Sequence, residues 1–403
     1  MAYKIIPFFS PKNSNFRFNK NELLGVIGNP IVPPLSLKVG SYNIYFDFNN
    51  GLRLIVPKGN WRVKIWDSSS QIIFFDENVS EVILISLEKF FIEWEFEIYL
   101  DGKILFRHRY NPAGYNVHFN FPPTGMGDQI TLFSCMEEFC RKWKCAATCT
   151  VAPYLRGIIE TYFPTIKCVD GMPPNTYATY LLSPGFSPFH QPVEIRKIPM
   201  LMNGREILGL GKVKKKIYHP TKPRQISEPY VCIAVQSSAT FKTWLNPTGW
   251  DEVVAYLKSL GYRVLCIDKN AEETDHGMTV KMPAGAENFT NNLPLLECIN
   301  LLAYADFFIG LSSGLSWLAW AVDIPVILIS GITAQWCEFY TPYRIINRLV
   351  CNGCHNDVTI AWPMYEICPR HKGTERAYEC SKKISARQVI NAIDELRKNE
   401  KLS

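Results

Sequence analysis

Apolar and polar residues alternate with a period of two through the first quarter of the chain. Tyr42-Asn43-Ile44-Tyr45-Phe46-Asp47-Phe48 leads into the turn Asn49-Asn50-Gly51, and Leu52-Arg53-Leu54-Ile55-Val56 follows. Trp61-Arg62-Val63-Lys64-Ile65-Trp66 and Glu93-Trp94-Glu95-Phe96-Glu97-Ile98 repeat the pattern, and Asp101-Gly102 turns the latter into Ile104-Leu105-Phe106. Alternation of this kind, broken by Asn/Asp-Gly, belongs to half-buried strands joined by hairpins. It predicts an antiparallel sheet or small barrel as a β-rich domain over residues 1–112.

Further on, short apolar runs alternate with segments of helical spacing. Val117-His118-Phe119-Asn120-Phe121 reads as a strand, 122–128 as a turn and 129–143 as a helix. A polar stretch rich in Pro and Lys, 212–229, reads as a linker. Beyond it come strands at 230–235, 263–268, 307–310 and 326–329, with helices at 250–260, 293–305 and 315–322. Buried strands interleaved with helices predict parallel sheets covered on both faces. The expected fold is α/β, with Rossmann-like domains over 113–225 (acceptor side) and 226–403 (nucleotide-sugar side) flanking a cleft.

Composition changes this picture little but excludes several classes. The chain has 403 residues and is 47% hydrophobic, ordinary for globular protein. No apolar run approaches the roughly 18–20 residues that span a bilayer, and no cleavage pattern follows the short apolar start, so neither a membrane span nor a secretion signal is expected. The net charge of +6 is modest for this length and does not imply nucleic acid. The thirteen cysteines are an odd number, and Cys232, Cys266 and Cys298 stand singly inside apolar segments. That is the usage of reduced thiols in a cytoplasmic protein rather than of a disulfide framework.

Four places carry candidate chemistry at the ends of expected strands. In Gly310-Leu311-Ser312-Ser313-Gly314, glycine admits close backbone approach, and the helix start that follows favours a phosphate, although the same residues can simply cap the helix. Thr124-Gly125-Met126-Gly127-Asp128 brings a carboxylate to a sheet edge, where it can take a proton from an attacking hydroxyl or cap its own helix. Lys242, in the segment from Gln236 through Thr240 to Trp244, can neutralise a departing diphosphate in place of a metal, so no catalytic metal is expected. Asp268 ends the next strand, where a carboxylate can meet a ribose hydroxyl; Lys281 is a further basic candidate.

Cys351-Asn352-Gly353-Cys354, with Cys368 and Cys380 beyond, has the makings of a sulfur-only metal knuckle, with His355 and His371 as substitute ligands. Four protein ligands leave no open position, so one structural ion per chain is expected. Zinc is the default from ligand chemistry, and iron suits the same donors.

Together, the 124–128 turn, the segment 236–244 with Lys242, residues 306–325 and the four late cysteines resemble the bacterial autotransporter heptosyltransferases, relatives of the lipopolysaccharide heptosyltransferases. The resemblance covers essentially the whole chain. It implies a GT-B fold, transfer of heptose from ADP-heptose to serine hydroxyls of an autotransporter adhesin, a cysteine-bound iron, and a cytoplasmic homo-oligomer, a dodecamer. It gives Asp128 the role of base, Lys242 a donor-phosphate contact, Ser312, Ser313 and Gly314 the diphosphate site, and Cys351, Cys354, Cys368 and Cys380 the iron. Trp317 stands where the lipopolysaccharide enzymes usually carry His, which favours a protein acceptor over a lipopolysaccharide core. The rival outside enzymes is a non-catalytic metal-knuckle binding module; its expected basic footprint is missing, since 351–364 holds no Lys or Arg.

Overall fold

A computed structural model of the chain describes residues 5–9, 37–122, 124–183, 189–275, 278–361 and 368–402. By contact it divides into two compact units: Met1–Pro123 with Phe133–Glu194 and Asn203–Val213, and Thr124–Leu132 with Ile195–Met202 and Lys214–Ser403.

In the first unit the alternating sequence becomes two sheets. Trp61–Asp67 pairs antiparallel with Ile73–Val79 and Trp94–Leu100, and the latter turns back as Lys103–Arg109. That turn uses positive φ at both Asp101 (49°) and Gly102 (78°), the backbone a tight hairpin demands. The larger sheet runs in the order Ile5–Phe9, Val82–Ser86, Arg53–Val56, Tyr45–Asn49, Thr176–Leu181, Asn116–Asn120, Ala146–Thr150, Ile166–Cys168. Its early strands are antiparallel, its later ones parallel, and the join is the parallel pairing of Tyr45–Asn49 with Thr176–Leu181. The β-rich start and the α/β segment after it therefore share one hydrogen-bonded ladder. Phe46, Phe48, Tyr110 and Tyr177, drawn from both parts, pack edge-on or tilted in the common core.

The second unit is built on a six-stranded parallel sheet: Glu287–Asn288, Arg263–Cys266, Tyr230–Ile233, Phe308–Leu311, Val326–Ile329, Arg344–Ile345. Numbered by appearance in the chain, the spatial order is 3-2-1-4-5-6, the doubly wound Rossmann arrangement. Such sheets bind ligands beyond the carboxyl ends of the strands where the order reverses. Here that point lies between Tyr230–Ile233 and Phe308–Leu311. Apolar faces of Gly249–Ser259 and Ala386–Asn399 bury Val253, Val254, Leu257, Val389, Ile393 and Leu396 against the strands. The last helix starts with a capping box in which Ser385 and Gln388 exchange bonds of 3.3 and 2.9 Å.

No helix among the described residues is long and apolar enough to cross a membrane. All thirteen cysteines carry free thiols.

Candidate active site

The strand Phe308–Leu311 ends at the reversal point, and the helix Gly314–Val322 starts after two intervening residues. Neither serine between them caps that helix. Ser313, the N-cap residue, has an extended backbone and no side-chain capping bond. Ser312 is buried, and its hydroxyl meets Ser330 Oγ at 3.0 Å, Thr333 Oγ1 at 3.2 Å and Glu338 Oε2 at 3.2 Å. Among the described residues the N-cap side chain makes no bond to the helix start, and the positive dipole end lies at the carboxyl edge of the sheet, a setting that favours an anion.

Glu338 is itself paired with the Arg344 guanidinium, and both side chains are only 3% exposed. Arg344 Nη2 also donates to Ser330 Oγ and Thr333 Oγ1, each at 3.0 Å. Ser312 is therefore an anchor, its side chain tied to a buried ion pair rather than presented to a ligand.

Asp128 belongs to the same unit. Its helix begins at Met126, so Asp128 is the third helical residue rather than the N-cap, and its carboxylate accepts from the N–H of Gly125 in the manner of half a capping box. The carboxyl is half-buried, and desolvation by the surrounding protein raises its pKa, against the opposing pull of the Lys242 ammonium and the Gly125 N–H. Lys242, half-buried at the end of the turn Thr240–Lys242, is within electrostatic reach of Asp128 and of the Cys337 thiol. Nearby, Thr124 Oγ1 and Gln129 Oε1 are buried without a partner among the described residues.

The two glycine turns touch. A Cβ on Gly314 would lie 2.5 Å from Met126 Cε, and one on Gly127 would lie 2.5 Å from Trp317 Cδ1. The structure thus brings together Gly125, Met126, Gly127, Asp128, Lys242, Ser312, Ser313 and Gly314.

Other expected residues stand differently. Asp268 is buried, and its two oxygens accept from the N–H groups of Val235 (2.7 Å) and Gln236 (3.2 Å) at the end of the first strand. Burial is the main reason its pKa rises to about 6. Its carboxylate braces the strand end rather than standing free. The Gln236 side chain donates to Asn270 O at 2.8 Å. Thr240 is described only in its backbone. Lys281 pairs with Glu272 at 3.1 Å across an exposed hairpin.

The cysteines share a neighbourhood. Cys380 is pushed up to about 12, first by burial and then by Cys351, Cys354 and Cys368, so all four sulfurs lie within electrostatic range. Among the described residues, however, no group of three or more His, Cys, Asp and Glu side chains is arranged to hold a metal ion. Sulfur-only donors crowded together suit a soft cation, whose charge would let the thiols ionise. Backbone bonds tie this region to the site: Gly353 N donates to Gly331 O and His355 N to Ile332 O, both at 2.9 Å, within the loop whose Ser330 and Thr333 hold Ser312.

Residues 40–102 match a family described as glycosyltransferase TibC, N-terminal domain, and residues 208–358 match glycosyltransferase family 9 (heptosyltransferase). The autotransporter heptosyltransferase TibC of Escherichia coli O78:H11 is 39% identical over 380 residues, spanning 92% of this chain and 94% of TibC. This chain belongs to the autotransporter heptosyltransferase family. It is a glycosyltransferase of family 9. The crystal structure of TibC, an iron-containing dodecameric glycosyltransferase, superposes with a TM-score of 0.86 at 38% identity, covering 91% of this chain and 99% of TibC. A second TibC structure, in complex with ADP-D-beta-D-heptose, gives 0.85 at the same identity and coverage. The family also includes BimC of Burkholderia thailandensis, 31% identical over 373 residues (90% of this chain, 88% of BimC) and named an inactive autotransporter heptosyltransferase. Membership alone therefore does not carry activity; the site residues must.

Proposed function

We propose that this chain transfers heptose from ADP-heptose to serine hydroxyls of an autotransporter adhesin with inversion at the anomeric carbon, in the bacterial cytoplasm. The observation that carries the reading is the packing of the Asp128 turn against the uncapped helix start at Gly314, at the reversal point of the parallel sheet, with Lys242 in electrostatic contact.

In this mechanism the Asp128 carboxylate takes the proton of the serine hydroxyl. The oxygen forms its bond to the anomeric carbon on the face opposite ADP. The bond from that carbon to the β-phosphate oxygen breaks, and its electron pair leaves with ADP. Charge grows on the diphosphate as it departs, and the N–H groups of the helix start from Gly314 onward together with Lys242 stabilise it more in the transition state than in the ground state. Thr124 Oγ1, buried without a partner among the described residues, has bonding capacity left for the donor. Because Asp128 works ionised and burial raises its pKa, turnover is lost as pH falls through that raised value.

The architecture implied is of the GT-B type, and the assembly a homo-oligomer like the dodecamer of TibC. Cys351, Cys354, Cys368 and Cys380 would hold one structural iron per chain; when bound it supplies a cross-link for the 351–380 loop and takes no part in the transfer.

Asp128→Asn is the decisive test. It should abolish transfer to an adhesin acceptor while ADP-heptose still raises the melting temperature as in the parent. Full transfer by Asp128→Asn would sink the base assignment, and transfer to lipopolysaccharide core in preference to adhesin would sink the acceptor.

A further inference from the structure

We infer that Trp317 is a positioning residue for the base: its indole seats on the backbone of Gly127 and, with Met126 seated reciprocally on Gly314, locks the Asp128 turn to the diphosphate turn. The proposal rests on Asp128 being the base.

The Trp317 side chain is 2% exposed and faces inward. Its ring is boxed edge-on by Phe339 at 4.9 Å and Trp320 at 5.6 Å, with interplanar angles of 80° in both pairs. A ring so held has one orientation, and that orientation brings Cδ1 and Nε1 within 2.5 and 3.1 Å of where a Cβ on Gly127 would stand. Such approaches are closer than real side chains tolerate. Gly127 is therefore required by space, because the indole lies against the peptide just before Asp128.

The converse contact is equally tight. A Cβ on Gly314 would meet Met126 Cε at 2.5 Å and Met126 Cβ at 2.8 Å. Each turn thus carries a glycine that receives a side chain of the other: Gly127 takes Trp317, and Gly314 takes Met126. The pair of contacts fixes the spacing between the Asp128 carboxylate and the N–H groups at the helix start, which is the spacing between base and leaving group. Trp317 touches neither reacting atom, so its effect on rate is through geometry. A misplacement of about 1 Å at this distance from the chemistry can lower turnover on the order of a hundredfold.

The experiment is a double-mutant cycle in the full-length protein with ADP-heptose and adhesin acceptor. Gly127→Ala, with Trp317 intact, drives a methyl into the indole; kcat should fall about tenfold or more while KM for ADP-heptose changes less than about threefold. Trp317→Leu removes the ring and should lower kcat similarly. The pair Gly127→Ala/Trp317→Leu relieves the clash and should be at least about tenfold more active than the product of the two single effects.

The acid limb of the kcat/KM profile supplies a readout that a merely structural role would not move. In Trp317→Leu water reaches the Asp128 turn and the limb should shift to lower pH, whereas partial unfolding would scale the rate and leave the limb in place. Should Trp317→Leu be unfolded at assay temperature, Trp317→Phe, which keeps a ring in the box, replaces it in the same cycle. Single effects that simply multiply, with an unmoved acid limb, overturn the interlock. Asp128→Asn separates the two claims: if it keeps turnover the base assignment fails, whereas an inert Asp128→Asn with an additive cycle removes only the interlock.

Discussion

The ion pair beneath Ser312 makes a strong demand on the fold. Glu338 Oε2 accepts from Arg344 Nη2, from Thr333 Oγ1 at 3.0 Å and from Ser312 Oγ at 3.2 Å, with both charged side chains 3% exposed. Arg344 Nε and Nη1 have no partner among the described residues, so Glu338 is the counter-charge for a buried guanidinium that has few other acceptors. Glu338→Ala leaves that charge uncompensated, which costs about 3–5 kcal/mol. The hydroxyls of Ser312 and Thr333 lose an acceptor too, at about 0.5–1 kcal/mol each, because Ser330 still serves both. The sum, about 4–7 kcal/mol, is a large part of the roughly 5–15 kcal/mol by which a domain is stable. Glu338→Ala/Arg344→Met removes both charges and should be less destabilised than either single variant, with a coupling energy of at least about 2 kcal/mol. Guanidinium unfolding of the four proteins, followed by tryptophan fluorescence, reads the cycle. A loss below about 1 kcal/mol in Glu338→Ala, or additive singles, would refute the reasoning.

Two further outcomes follow from buried groups elsewhere. His118, held between Thr148 Oγ1 at 3.0 Å and Thr150 Oγ1 at 3.4 Å, is pushed down to about 4 by burial. Its folded pKa is below the unfolded value of 6.5, so the unfolded chain gains a proton that the native chain refuses. Stability should be full above pH ~6.5 and fall by roughly 3 kcal/mol as pH drops towards 4, and His118→Gln should flatten that slope; an unchanged slope counts against it. For the cysteines, elemental analysis should find about one iron per chain, and chelation should open residues 351–380 to protease before the sheets melt. Protein without metal would remove the knuckle.

The strands and helices of the second unit were legible because their core is built from contiguous apolar runs. Val326–Ile329 falls where the sequence puts it, and Gly249–Ser259 and Phe308–Leu311 are displaced by one residue. Alternation likewise exposes Trp61–Asp67 and Trp94–Leu100. In the hairpin Glu272–Asp275 with Met278–Lys281 the first strand is wholly polar, and the alternation of Met278 and Val280 is only four residues long, too short to stand out. Ala386–Asn399 was readable in principle: Ser385-Ala386-Arg387-Gln388 is a capping-box sequence. At the site, Asp128, Lys242 and the 312–314 turn announce themselves by lying at strand ends. Glu338 and Arg344 do not, because a charged residue reads as surface until the fold supplies its partner. Trp317 on Gly127 is invisible for a different reason: nothing local in either segment records a contact between residues so far apart in the chain.

The parallel pairing of Ala178 and Thr179 with Phe48 and Asn49 makes the early strands the seal on one margin of the α/β sheet. Thr179 Oγ1 donates to Asn49 Oδ1 at 2.7 Å, and Asn49 Nδ2 donates to Thr176 O at 2.9 Å, so the seam is stitched by side chains as well as by backbone. A chain stripped of its early strands would present Thr176–Leu181 as a naked border with unmet amides, an invitation to sticky edge-to-edge association. Grafting the β-rich start onto another transferase would succeed only where the recipient offers a strand of matching register. The two parts are in that sense inherited as a single woven panel, and exchange between relatives should occur at points where no ladder is cut.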